Sequence, residues 1–143
     1  MQQAHKSLAA LIVSTSYPHS PTDWRGRFIA SMVQALAKSG ELDIALWSPT
    51  GNLPKKVKSA CIASDAVFLD ALSKNGGIAH ALRKRGPLAI FSVCRLLLSL
   101  RNLYKRSAQD VLHINWLQNA LPLPAGETPC LITVLGSDFG LLS

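Results

Sequence analysis

The run Leu8-Ala9-Ala10-Leu11-Ile12-Val13 is apolar at every position. A strand with one wet face alternates, so an unbroken run predicts a strand covered on both faces, as in a parallel sheet. The next residues narrow the choice. Pro18, Pro21 and Asp23 stop the strand, and from Gly26 onward Phe28, Ile29, Met32, Val33 and Leu36 recur at the spacing of one helical face, with Gly40 where that helix ends. A second apolar run, Leu42 to Trp47, is closed by the turn residues Ser48-Pro49-Thr50-Gly51. Strand, helix and strand in this order form a βαβ unit, which closes right-handed around a parallel pair.

The remaining chain extends that unit. Leu53 to Ser59 carries Pro54, Lys55, Lys56 and Lys58 and is expected to cross the surface. Asp65 to Lys74 predicts a short helix broken by Gly76-Gly77, and Ile78 to Arg85 another turn or two. Leu88 to Arg106 is the longest helical segment, with Ser92, Arg95, Ser99, Asn102 and Arg106 on one narrow polar stripe. Asp110 to Asn115 reads as a third strand and Cys130 to Leu135 as a fourth. The expected fold is α/β, a Rossmann-like open, mostly parallel sheet with helices on both faces. At 143 residues and 48% hydrophobic, the chain closes about one core, so it is treated as one domain, 1–143.

The three cysteines, Cys61, Cys94 and Cys130, form no CxxC and no pairing with histidine at ligand spacing. They are read as reduced thiols of a cytoplasmic protein without structural metal. The apolar run after Lys6 is too short for the core of a signal peptide and lacks a small-residue cleavage pattern. The longest apolar stretch, Pro87 to Leu100, is cut by Arg95, which excludes a spanning helix there.

Ligands of open parallel sheets bind beyond the carboxyl ends of the strands. After the first strand stand Tyr17-Pro18-His19-Ser20 and then Asp23-Trp24-Arg25-Gly26-Arg27 at a helix start. Free N–H groups there attract phosphate, and Gly26 lets a ligand approach the backbone; a glycine that only turns the chain beside two solvated arginines is the other reading. In His113-Ile114-Asn115-Trp116, alternation points His113 and Asn115 to one face, where burial demands hydrogen bonds from the protein or from a ligand. Gly136-Ser137-Asp138 after the fourth strand can orient a polyol or cap a following helix.

Charge supplies a further signal. The chain carries 15 basic and 8 acidic residues, a net +7, and Arg83, Lys84, Arg85, Arg95, Arg101, Lys105 and Arg106 fall in one acid-free segment. Such a segment beside an apolar face suits an anionic bilayer, with Arg83, Lys84 and Arg85 as the surface contacts, or else is a core helix with solvated flanks. Nucleic acid is not indicated, because the cluster holds only Phe91 and Tyr104 as aromatics and no recognition motif.

Three segments together resemble a family. Ser14 to Gly40, with Tyr17-Pro18, Gly26-Arg27-Phe28-Ile29 and Ala35-Leu36-Ala37, resembles the opening of family-four, or group-one, glycosyltransferases of the GT-B fold. Asp110-Val111-Leu112-His113-Ile114-Asn115-Trp116 is similar to their D-h-h-H-x-H/N-W strand, and Thr133-Val134-Leu135-Gly136-Ser137-Asp138 to their T-h-H-G-S-D strand and loop. The three occur in the family's order and cover nearly the whole chain. Leu135 departs from the pattern, standing where the family usually has histidine.

The resemblance implies the N-terminal, acceptor-side part of a retaining enzyme, truncated before its nucleotide-sugar domain and inactive alone. The reaction implied moves a hexose from a nucleotide diphosphate sugar to a glycan or lipid-linked acceptor. Gly26, beside Arg27, would let the loop approach donor diphosphate or acceptor; His113 and Asn115 would line the acceptor floor; Gly136, Ser137 and Asp138 would hold hydroxyls. No metal or cofactor is implied beyond the donor substrate, and the location implied is cytoplasmic, peripheral on the inner face of the membrane. Two other classes remain open: a non-catalytic nucleotide-binding module and a basic membrane-surface adaptor.

Overall fold

The computed structural model describes residues 7–78, 80 and 86–134. Its sheet has five parallel strands: β1 (Leu8–Val13), β2 (Leu42–Trp47), β3 (Val57–Ser59), β4 (Val111–Asn115) and β5 (Cys130–Thr133). They lie in the order β3-β2-β1-β4-β5. Around them stand α1 (Arg27–Ser39), α2 (Ala63–Lys74), α3 (Pro87–Arg106) and a 3-10 turn, Leu117–Ala120. This is a Rossmann-like open α/β fold. The chain winds outward from β1 to β3, then returns to the far side of β1 as β4, so the winding direction reverses between β1 and β4.

The apolar run that opens the sequence forms the central strand. β1 pairs with β2 from Leu8↔Leu42 to Val13↔Trp47 and with β4 from Ala10↔Val111 to Val13↔Ile114. Its residues alternate between two cores. Ile12 packs with Ile44 and Leu46 under Ile29 and Val33 of α1. Leu11 and Val13 pack with Trp47, Leu112 and Ile114 under Leu69 of α2 and Leu96, Leu100, Leu103 and Tyr104 of α3. Each such fully buried aliphatic side chain contributes about 1.5–3 kcal/mol relative to exposure, so both faces of β1 hold the fold together.

The boundaries depart from the sequence reading at the sheet edges. Within Leu53 to Ser59, expected as a surface crossing, Val57–Ser59 pairs with Ile44–Leu46 as an edge strand. Only Val57 is buried, and Lys58 instead reaches Asp43 on the neighbouring strand at 3.3 Å, so no hydrophobic pattern marks the strand. β5 ends at Thr133, while the expected strand ran to Leu135. On α3 the polar stripe is only partly a solvent face. Arg95 donates to the Ser64 carbonyl at 3.2 Å with its guanidinium 4.6 Å from the Phe68 ring centre, and Arg106 donates to the Ala60 carbonyl at 3.1 Å.

A buried acid completes the packing beneath α3. Asp65 accepts the Trp47 indole N–H at 3.1 Å and lies 3.7 Å from the Arg106 guanidinium. It thereby ties the end of β2 to two helices. Among the described residues no helix is long and apolar enough to cross a membrane.

Candidate functional site at the sheet switch point

A cleft of about 440 Å³ opens at the carboxyl ends of β1 and β4, where the winding reverses. One wall is the loop after β1. Ser14, fully buried, donates its hydroxyl to the Ser16 carbonyl at 2.6 Å and accepts the Ser16 N–H at 3.1 Å, which turns the chain sharply off the strand. Thr15 and Ser16 then face the cleft.

The second wall is the start of α1. Asp23 accepts the N–H groups of His19 at 3.3 Å and Arg25 at 3.0 Å, and the Arg25 Nε–H at 3.3 Å. Hydrogen bonding from the Arg25 backbone holds the Asp23 carboxyl below its ordinary range. Arg25 Nη1 donates to the Ser73 carbonyl at 3.1 Å, so this guanidinium spans from the α1 loop to the end of α2 along the cleft. Gly26 follows with φ +67°, and its own backbone lies against another: a Cβ there would sit 2.7 Å from Ser16 C and Tyr17 N. The close approach visible at this glycine is thus to the β1 loop. Beyond it, α1 begins with no side-chain cap and no acid in its first turn.

Aromatic rings close the remaining side. Trp116, directly after β4, has φ +68°, the one positive φ outside glycine among the described residues. Backbone in such sparsely populated regions costs about 1–3 kcal/mol and persists where the surrounding structure over-determines it. Its ring meets Phe28 edge-on at 6.0 Å, and both line the cleft with Trp24, which is 79% exposed. Gln118 also lines it, with a buried Oε1 that has no partner among the described residues.

His113 and Asn115 do share a face, as alternation requires, yet each binds a neighbouring strand. The His113 Nε2 lies 2.8 Å from the Thr133 hydroxyl of β5, and burial pushes the imidazole pKa down, favouring the neutral ring. Asn115, with no exposed surface, donates Nδ2 to the Val13 carbonyl at 3.2 Å, and its backbone carbonyl accepts Asn119 Nδ2 at 2.7 Å. The Asn115 Oδ1 is buried without a partner among the described residues. Neither residue is on the cleft wall.

Gly26 is on that wall, and Arg27 is not: its guanidinium turns back to the Pro21 carbonyl. Gly136, Ser137 and Asp138 lie outside the described residues, as do Arg83, Lys84 and Arg85. Trp24 and Arg25 stand in the stretch read after the first strand but are given no role of their own there, and Gln118 is not singled out. A tryptophan beside an arginine at a helix start was a visible signal for the first two; Gln118 carried none.

The fold and cleft therefore define an open α/β sheet with a cleft at its switch point lined by aromatic rings and by Arg25, which is paired with Asp23. No family model, no curated protein and no solved structure matches the chain.

Proposed function

We propose that the chain is the acceptor-side part of a GT-B glycosyltransferase, receiving a hexose from a nucleotide diphosphate sugar onto a glycan or lipid-linked acceptor, on the cytoplasmic side of a membrane. The observation that carries this reading is the composition of the switch-point cleft. Trp24, Phe28 and Trp116 offer apolar faces of the kind on which sugar rings lie, while Arg25 and the uncapped start of α1 favour an anionic group. The ordered resemblance of Ser14–Gly40 and Asp110–Trp116 to that family supports the same conclusion from the sequence. In this reading Arg25, Gly26 and the aromatic walls orient the acceptor. Asn115 and His113 fix the strand ends beneath it, and a second domain of the class binds the donor.

Tryptophan emission provides the test, because Trp24 and Trp116 line the cleft while Trp47 is buried in the core. Titration with glycan and polyprenyl-phosphate acceptors should perturb the emission, and Arg25→Ala should weaken an anionic acceptor at least tenfold, a charged hydrogen bond contributing about 1.5–3 kcal/mol. Radiolabelled nucleotide sugars should give no product with this chain alone. Silence with every acceptor would refute the reading. A response to free nucleotides only would favour the nucleotide-binding module.

A further inference from the structure

α3 is apolar on two sides. Ala89, Leu96, Leu100, Leu103 and Tyr104 are buried toward the sheet. On the opposite side Ile90, Phe91 and Leu98 are exposed at 59%, 75% and 62%, with the exposed Cys94 between them. At about 100° per residue, Phe91, Cys94, Leu98, Arg101 and Lys105 run in one line along the helix. Isolated exposed apolar residues are ordinary, but a line of them on one helix face marks a contact surface.

Charge identifies the contact. Arg101 and Lys105 extend the apolar line and are exposed; neither forms a salt bridge among the described residues, and α3 contains no acid. Arg95 and Arg106, in contrast, are engaged by α2 and the loop before it. A second copy of the chain would set one cationic helix against another, and the whole chain carries +7. Large apolar side chains followed by unpaired cations on one helix match the boundary between acyl chains and anionic headgroups.

We propose that the outer face of α3 docks on an anionic lipid bilayer, with Ile90, Phe91 and Leu98 entering the headgroup boundary and Arg101 and Lys105 lying against lipid phosphates. The helix lies in the interface and does not span it. This inference stands on α3 alone and does not require the cleft to bind a sugar acceptor.

Vesicle flotation of the full chain tests it, with phosphatidylcholine vesicles compared against vesicles also containing phosphatidylglycerol. Binding should require phosphatidylglycerol and weaken as salt is raised. Arg101→Gln with Lys105→Gln should lower partitioning roughly 25-fold at low salt, about fivefold per cation near an anionic surface. Phe91→Ser with Leu98→Ser should lower it at least about tenfold, since apolar area inserted at the interface is lost. Both pairs are exposed, so circular dichroism should show folded proteins. No binding at low salt, or loss in only one of the two double variants, would overturn the proposal. So would self-association without lipid binding that Phe91→Ser with Leu98→Ser abolishes, because the face would then be covered by a second copy.

Discussion

Replacing Gly26 by alanine should be far more damaging than the same change at Gly40, although both glycines have almost the same backbone. Their φ angles are +67° and +74°, so alanine meets the left-handed penalty of about 1–2 kcal/mol at either position. At Gly40 nothing lies within 4 Å of the added Cβ, and that penalty is the whole effect. At Gly26 the Cβ falls 2.7 Å from Ser16 C and Tyr17 N and 2.8 Å from Ser16 O. These are backbone atoms that no rotamer change can move, so the β1 loop and the start of α1 must separate. Overpacking of that kind costs about 1–3 kcal/mol more. Gly26→Ala should therefore lose roughly 2–5 kcal/mol against about 1–2 for Gly40→Ala, read from urea midpoints at unchanged slope. The displaced loop carries Trp24 and Arg25, so tryptophan emission should shift in Gly26→Ala alone. Equal losses for the two variants, with unchanged emission in both, would refute the claim that Gly26 is fixed by contact with the Ser16–Tyr17 peptide.

Three further outcomes follow from particular side chains. Burial pushes the Cys61 thiol up to about 11 from an ordinary 9.0, which lowers its thiolate fraction at neutral pH roughly 100-fold, so timed alkylation should label the exposed Cys94 long before Cys61. Asp65→Ala strands the buried Trp47 indole N–H and should cost about 2–4 kcal/mol in urea denaturation, whereas Asp65→Asn keeps an acceptor and should cost less. His113 is held below the usual histidine value of about 6.5 by burial, so the unfolded chain takes up its proton first as pH falls. Its stabilisation is present above about pH 6.5 and lost as pH drops toward the lower folded value, and His113→Gln should flatten that part of the melting-temperature profile.

The elements that were legible in the sequence are those in which one period dominates. The unbroken run at β1 required cover on both faces and received it, and the single apolar face of α1 ended at Gly40 in the left-handed conformation. β3 carried no readable period because an edge strand of three residues buries only Val57. On α3 the polar stripe indicated the solvent side only in part. Long arginine side chains at 95 and 106 reach sideways to carbonyls before α2 and in its first turn, and the positions facing outward include Phe91 and Leu98. Spacing identifies a helix, but the reach of a guanidinium is set by partners that only the packed structure supplies.

The same distinction explains why the candidate site was half visible. Strand alternation correctly put His113 and Asn115 on one face, and a buried polar pair must be satisfied. In a sheet whose winding reverses between β1 and β4, the nearest available partners are the adjoining strands: Val13 carbonyl on one side, Thr133 hydroxyl on the other. Their bonds hold β4 in register with both neighbours just where the chain must leave the sheet. Holding the strand ends also fixes where Trp116 emerges, in a backbone conformation that a free loop would avoid. The cleft walls then come from residues after the strands and at the α1 start, Ser16, Trp24, Arg25, Phe28 and Trp116 among them, and from the end of α2 and the residues after it, Ser73 and Gly76 to Ile78. Asn115 and His113 thus hold the strand ends beneath the cleft, and substituting either should disturb stability and the Trp116 environment together. Arg25→Ala, which gives up the part-exposed bonds to Ser73 and Asp23, should cost less stability than Asn115→Ala and, in the proposed reading, alter ligand affinity. A stability loss in Arg25→Ala as large as that in Asn115→Ala would invert this division of roles.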